Sequence, residues 1–177
     1  VMGDVSQNIR MDYGISDWEG VKNILLTGER DNFCVLRKSY RNTVEIANFA
    51  SDILAHGEFP GYGAEPVIRH GEAVGIRQTA GRDLYREAAK ICKGWQTDGF
   101  DTIAVICRDQ KQAQETAELL QKELPVMPWD PEKASFEKGI MVFPVEYTKG
   151  LEFDAVLLLS PDRESYPIDD GHAKLLY

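Results

Sequence analysis

The stretch Tyr147-Thr148-Lys149-Gly150-Leu151-Glu152-Phe153-Asp154-Ala155-Val156-Leu157-Leu158-Leu159 decides the fold. A polar turn with one glycine runs directly into an apolar segment. A second apolar run, Ile140-Met141-Val142-Phe143-Pro144-Val145, stands just before it. Short apolar runs without polar alternation are expected of strands covered on both faces, as in a parallel sheet. Two buried strands therefore flank a Lys-Gly-Leu-Glu corner. Loops that leave buried strands are where α/β proteins place their ligand contacts.

Working outward from this corner, Thr102–Cys107 predicts another buried strand. On either side of it lie two helical patterns. Arg82–Gln96 turns Leu84, Ala88, Ile91, Cys92 and Trp95 inward, and Gln110–Glu123 turns Ala113, Ala117 and Leu120 inward. Residues 126–138 form a polar, proline-containing connector. Further upstream, Phe33–Leu36 predicts a short strand, left by the loop Ser39-Tyr40-Arg41. Asn42 with Glu45 has the spacing of a capping box and opens a helix with Ile46, Ala47, Ala50, Ile53 and Leu54 inward, stopping at Gly57. Glu58–Glu72, rich in Gly and Pro, is a loop, and Ala73–Gln78 predicts a strand. At the start, Val1–Asp4 reads as the end of a strand. Ser16 with Glu19 forms a second capping box before a short helix with Trp18, Val21 and Leu25 on one face, ending at Gly28. After the last strand come an acidic loop, Asp162–Asp170, and the apolar Lys174–Tyr177, the start of a strand or helix. Strands alternating with helices predict an α/β fold with a mostly parallel sheet and helices on both faces.

Composition narrows the function. The 177 residues carry 20 Lys+Arg against 29 Asp+Glu, a net charge of −9. This argues against a nonspecific nucleic-acid binder driven by overall charge, though not against a local basic groove. No apolar run approaches the ~20 residues of a membrane span, and no signal peptide is visible, so a cytoplasmic protein without a membrane partner is expected. Cys34, Cys92 and Cys107 lack metal spacing and read as reduced thiols, two of them in apolar runs. His56, His70 and His172 are isolated, so no metal site is assigned.

Four small polar constellations fall at strand ends: Gly3-Asp4-x-x-Gln7, Ser39-Tyr40-Arg41, Lys149-Gly150-Leu151-Glu152 and Lys174–Tyr177. In a parallel sheet such ends share one edge. An arginine beside a tyrosine suits a nucleotide, because guanidinium pairs with phosphate oxygens and the ring stacks on a base. A glycine lets backbone approach a ligand, and a carboxylate accepts from ribose hydroxyls. The phosphate-cradling Gly-x-x-x-x-Gly-Lys-Ser/Thr loop is absent from these 177 residues. The main phosphate cradle for any nucleotide bound here must then lie elsewhere.

The order of these motifs resembles the UvrD/Rep-type superfamily 1 helicases. Gly3-Asp4-x-x-Gln7, then Leu36-x-x-Ser39-Tyr40-Arg41-Asn42-Thr43, then Lys149-Gly150-Leu151-Glu152-Phe153-Asp154, then Leu175-Leu176-Tyr177 match that family's motif III through the first residues of motif VI. The resemblance implies a RecA-like three-layer sandwich lacking its own phosphate-binding loop. Residues 1–32 would be the tail of a first RecA-like motor domain and hinge, and 33–177 the second, truncated within motif VI. It also implies ATP with Mg²⁺ as cofactors, both held mainly by the first domain. By position, Gln7 resembles the glutamine that senses the γ-phosphate, Tyr40 the residue that stacks on adenine, and Arg41 the arginine that reaches the γ-phosphate. Gly150 and Glu152 resemble residues approaching the sugar and phosphates. Arg41 and Gln7 are the catalytic candidates; Tyr40, Arg41, Gly150 and Glu152 are the nucleotide-binding ones.

The departures fall on the nucleic-acid side. Where the family has an aromatic five residues after the motif III glutamine, this chain has Asp12, with Tyr13 beside it. Where motif V begins Thr-x-His, it has Pro144 and Glu146. The proline is closer to the HelD-like branch, motors associated with RNA polymerase. No room remains between residues 43 and 147 for a large inserted domain. The expectation is a motor-domain fragment of an ATP-dependent DNA helicase or translocase, inactive alone, partnered by a first motor domain and DNA. The alternatives are part of a HelD-like ATPase that remodels or releases RNA polymerase, or a non-catalytic binding module.

Overall fold

The computed structural model describes residues 18–26, 28, 33–34, 38–56, 65–66, 68–79, 81–130 and 138–177. In chain order these form α1 (Trp18–Leu25), β1 (Lys38–Ser39), α2 (Val44–Ala55), β2 (Glu65–Pro66), α3 (Arg82–Thr97), β3 (Thr102–Cys107), α4 (Gln110–Leu120), β4 (Met127–Pro128), β5 (Gly139–Pro144), β6 (Ala155–Leu158) and α5 (Asp170–Leu176). A 3-10 turn, Val145–Tyr147, follows β5. The readings at Val1–Asp4, Gln7, Asp12, Tyr13, Ser16, Val35, Leu36 and Gly57 lie outside the described residues. The chain divides into two compact units, 77–167 and the remainder.

In the 77–167 unit the four strands run parallel in the order β4-β5-β3-β6. Side-chain alternation divides the sheet into two faces. Ile103, Val105 and Cys107 of β3, with Ile140 and Val142 of β5, pack against Ala88, Ala89 and Cys92 of α3 and Ala113, Ala117 and Leu120 of α4. The small residues on both helices let them sit close to the strands. On the opposite face, Ala104, Met141 and Phe143 are buried, with Ile106, Met127, Trp129, Leu151 and Phe153 packed against them. Both faces of β3 and β5 are therefore covered, which is why their sequences read as unbroken apolar runs.

The corner Tyr147–Asp154 turns out to be a crossover. β5 and β6 flank β3, so residues 145–154 must pass from the end of β5, across β3, to the start of β6. No α-helix is used. A 3-10 turn and a tight turn at Lys149-Gly150 reverse the chain, and Leu151 and Phe153 then lie along the second face.

In the other unit, β1 pairs parallel with β2, Lys38 opposite Glu65 and Ser39 opposite Pro66. The α2 helix packs against β2 and α5. Its cap is Thr43, whose hydroxyl accepts from the Ile46 N–H, not Asn42 as the capping-box spacing predicts. Glu45 serves a different purpose, described below. Ala47 is buried, but Ile46 is 45% exposed and does not belong to the inward face. Leu25 of α1, 47% exposed, also departs from the expected face; Trp18 instead meets Phe33 edge-on at 5.8 Å.

Other boundaries differ for physical reasons. Ala73–Gln78 is irregular and exposed: no strand among the described residues pairs with it, and an unpaired extended segment is not a strand. Of the strand expected at Phe33–Leu36, the described residues Phe33 and Cys34 are not in a strand, and the described strand that follows is Lys38–Ser39. The two-residue β2 and β4 sit inside segments read as loops. Lys174–Tyr177 ends α5, which is capped by Asp169 accepting from the His172 N–H. Among the described residues no helix is long and apolar enough to cross a membrane.

Candidate functional site

The exposed Lys149-Gly150 turn of the crossover sits just past the end of β5, at the C-terminal edge of the parallel sheet. Gly150 has φ +83°, a conformation that a residue with a Cβ adopts at a cost. Nothing lies within 4 Å of where a Cβ would stand. The glycine is thus required by the turn, and the space beside it is open. Lys149, Gly150 and Glu152 are all exposed. The turn itself is held by Thr148, whose hydroxyl donates to the Val145 carbonyl at 2.7 Å, and by the Leu151 N–H donating to the Thr148 carbonyl at 3.0 Å.

The far end of the crossover is pinned by Asp154. Its Oδ2 accepts from the N–H groups of Asp101 (3.0 Å) and Thr102 (2.8 Å) and from the Thr102 hydroxyl (2.8 Å). Its own N–H donates to the Thr102 carbonyl at 2.9 Å. The Thr102 backbone N–H is the largest cause holding the Asp154 carboxyl below the ordinary 3.8. Lys138, 2.7 Å from Asp101, adds a positive charge at this edge. The motif quoted at the outset contains Asp154, but its role could not be read there, because Asp101 and Thr102 lie far away in sequence.

Next to the turn, Tyr147 stacks on Trp129 with ring centroids 3.8 Å apart. Tyr147 remains 42% exposed. Pro144, which stands where motif V of the resembled family has threonine, is fully buried opposite Cys107. Glu146 is exposed.

Tyr40 and Arg41 occupy the bend between β1 and α2, with Tyr40 74% exposed. The Arg41 carbonyl accepts from the Arg69 guanidinium at 2.6 Å. Glu45, the second residue of α2, accepts from the Gly71 N–H at 2.9 Å and pairs with His70 Nδ1 at 2.9 Å. His70, then the Gly71 N–H, pull the Glu45 carboxyl down to about 2. No sequence signal linked residues 69–71 to this bend, because the link is tertiary. Tyr40 and Arg41 are thus brought together in one unit, and Gly150 and Glu152 in the other; Gln7 lies outside the described residues. Among the described residues no group of three His, Cys, Asp or Glu is arranged to hold a metal.

The class defined by this geometry is a RecA-like α/β fold: a parallel four-stranded sheet with flanking helices and exposed polar turns after its strands. A solved structure with similar architecture is the crystal structure of the C-terminal domain of a possible DNA helicase from Lactobacillus plantarum WCFS1. The likeness has a TM-score of 0.53 at 24% sequence identity and covers 78% of each chain. No family model matches the sequence. No curated protein matches it either.

Proposed function

We propose that this chain is the second motor domain of an ATP-dependent superfamily 1 DNA helicase or translocase, supplying one wall of a nucleotide cleft. The observation that carries the reading is the crossover. It presents Lys149 and an open-sided Gly150 at the C-terminal sheet edge, the side of a parallel sheet where ligands bind, with the exposed Glu152 two residues further on. The order of the Tyr40-Arg41 and Lys149–Glu152 motifs and the helicase-domain neighbour support it.

The residues present fit a nucleotide whose main cradle belongs to another domain. An exposed tyrosine ring can stack on a base, and a neighbouring arginine can pair with phosphate oxygens. In the 77–167 unit, taken by itself, the open space at Gly150 admits a sugar or phosphate against the backbone. ATP with Mg²⁺ would supply the phosphoryl chemistry. Arg41 would stabilise charge on the transferred group, Tyr40 would orient the base, and Gln7 would sense the γ-phosphate.

The test has two arms. These 177 residues alone should show no ATP turnover, since no phosphate loop is among them. In the full-length protein, Arg41→Ala should lower kcat by ~10³-fold or more, as removal of an arginine finger does. Robust turnover by the chain alone, or an unaltered kcat in the Arg41 variant, overturns the proposal.

A second reading, a HelD-like motor that remodels or releases RNA polymerase, is favoured by one specific feature. Pro144 is buried and offers no hydroxyl where the resembled family contacts nucleic acid, and the nearby Glu146 is an exposed carboxylate. Capture of RNA polymerase by the full-length protein, without stimulation of its ATPase by DNA, would select this reading.

A further inference from the structure

Residues 69–71, Arg-His-Gly, meet the beginning of α2 at four points. The Arg69 guanidinium donates to the Arg41 carbonyl at 2.6 Å, and the Val44 N–H donates to the Arg69 carbonyl at 3.0 Å. The Gly71 N–H donates to Glu45 Oε2, and His70 Nδ1 lies against Glu45 Oε1, both at 2.9 Å. Arg41, Val44 and Glu45 are thereby all tied to three consecutive residues of one segment. The Val44 N–H is one of the donors that a helix N-terminus leaves without an intrahelical partner, and the segment satisfies it.

Gly71 makes this approach possible. A Cβ there would stand 2.8 Å from Thr43 Cγ2, closer than real Cβ contacts allow. The methyl cannot swing aside freely, because the Thr43 hydroxyl accepts from the Ile46 N–H and fixes the rotamer. The cap of α2 and the glycine of the segment are therefore matched to each other in shape.

We propose that residues 69–71 are a strap that positions Arg41 for ATP turnover, an inference that rests on the role given to Arg41 above. An arginine side chain carries large rotamer entropy, and it stabilises a transition state best when its backbone is already fixed. The strap fixes that backbone at the Arg41 carbonyl and at the helix start three residues on, Val44. Arg69, His70 and Gly71 are positioning residues: they act through Arg41 and Glu45.

The test uses ATP turnover by the full-length protein, with amide hydrogen exchange at Val44 and Gly71 as a second readout. Gly71→Ala should push the strap off Thr43, speed exchange at both amides and lower kcat by ~10-fold or more, since small misplacements of a catalytic group are costly. KM for ATP should stay within about twofold, because an interaction made mainly in the transition state is lost. Thr43→Ser removes the obstructing methyl but keeps the capping hydroxyl, so it should be nearly silent alone and restore most of the lost kcat in combination with Gly71→Ala. Rescue assigns the loss to the contact between the new Cβ and the Thr43 methyl, and a native circular dichroism spectrum of Gly71→Ala at the assay temperature separates it from a loss of folded protein. Arg69→Met, which deletes only the donor to the Arg41 carbonyl, should lower kcat in the same direction and serves if Gly71→Ala does not fold. A large loss in Arg41→Ala with no loss in Gly71→Ala or Arg69→Met refutes the strap alone. A silent Arg41→Ala refutes the role of Arg41, and the strap's with it.

Discussion

Replacing Asp154 should loosen the crossover at its base, and two substitutions separate the cause. In Asp154→Ala, a single carboxylate oxygen that accepts three hydrogen bonds is lost, two of them from the Asp101 and Thr102 amides at the start of β3. Each such bond contributes ~0.5–1.5 kcal/mol net. The site is exposed, so water replaces the lost acceptor and the lower end applies, about 1.5 kcal/mol in total. For a chain of this size that corresponds to a fall of roughly 3–6 °C in Tm. Asp154→Asn keeps a carbonyl oxygen able to accept the same three bonds and should cost less than ~0.5 kcal/mol. Urea and thermal unfolding followed by circular dichroism would measure both. Acid supplies a further arm. The folded-state pKa of Asp154 lies below its ordinary 3.8, so its stabilisation is present above that value and is lost as pH falls through the folded-state pKa. The stability gap between wild type and Asp154→Ala should therefore shrink below pH ~4, while the gap between the Asn and Ala variants stays constant. An Asn variant as unstable as the Ala variant at neutral pH would refute the hydrogen-bond account. A gap to Ala that does not shrink in acid would refute the linkage.

Three further outcomes are expected. Gly150→Ala should cost ~1 kcal/mol from backbone conformation alone, since no atom crowds its Cβ, and Gly150→Asn should cost less; equal losses in both would show another cause. Leu120→Ala, at a fully buried position between α4 and the sheet, should cost ~2–5 kcal/mol in urea unfolding, and a loss below ~1 kcal/mol would mean that the site collapses or is not packed as described. In thiol titration of the native chain Cys34 should react first, because Cys92 and Cys107 are buried with their thiols pushed up to about 11, and prompt reaction of all three Cys would contradict the packing.

The sheet was legible because burial on both faces leaves a plain mark. Thr102–Cys107 has the bounds read from its sequence, and β5 and β6 shift by no more than a residue. The α3 face was legible for a similar reason: Ala88 and Cys92 recur at helical spacing and are buried. Two-residue strands carry no period, so β1, β2 and β4 left no comparable mark. The capping box at Asn42 failed because its signature rests on Glu45 turning back to the cap. That carboxylate instead goes to Gly71 and His70, whose proximity no local pattern encodes. Asp154 illustrates the same limit at the candidate site. Gly150 could be picked out by its own chemistry, whereas the role of Asp154 depends on two amides at the start of another strand.

The two groups of candidate residues are held in different ways, and this bears on what each tolerates. Lys149, Gly150 and Glu152 ride on a crossover whose ends are fixed by the sheet itself, at Pro144 within β5 and at Asp154 beside β3. Substitutions at the N-terminal edge, such as those at Asp101, Thr102 or Lys138, can therefore disturb a turn at the opposite edge through one short, helix-free connection. Tyr40 and Arg41 lean on a helix cap and on a three-residue strap drawn from a long loop. A loop held by four polar contacts opens locally at lower cost than a strand buried in a sheet. The bend at Tyr40-Arg41 is therefore the element whose order can change without unfolding the core. The Lys-Gly-Leu-Glu corner, by contrast, is anchored on both sides by the sheet.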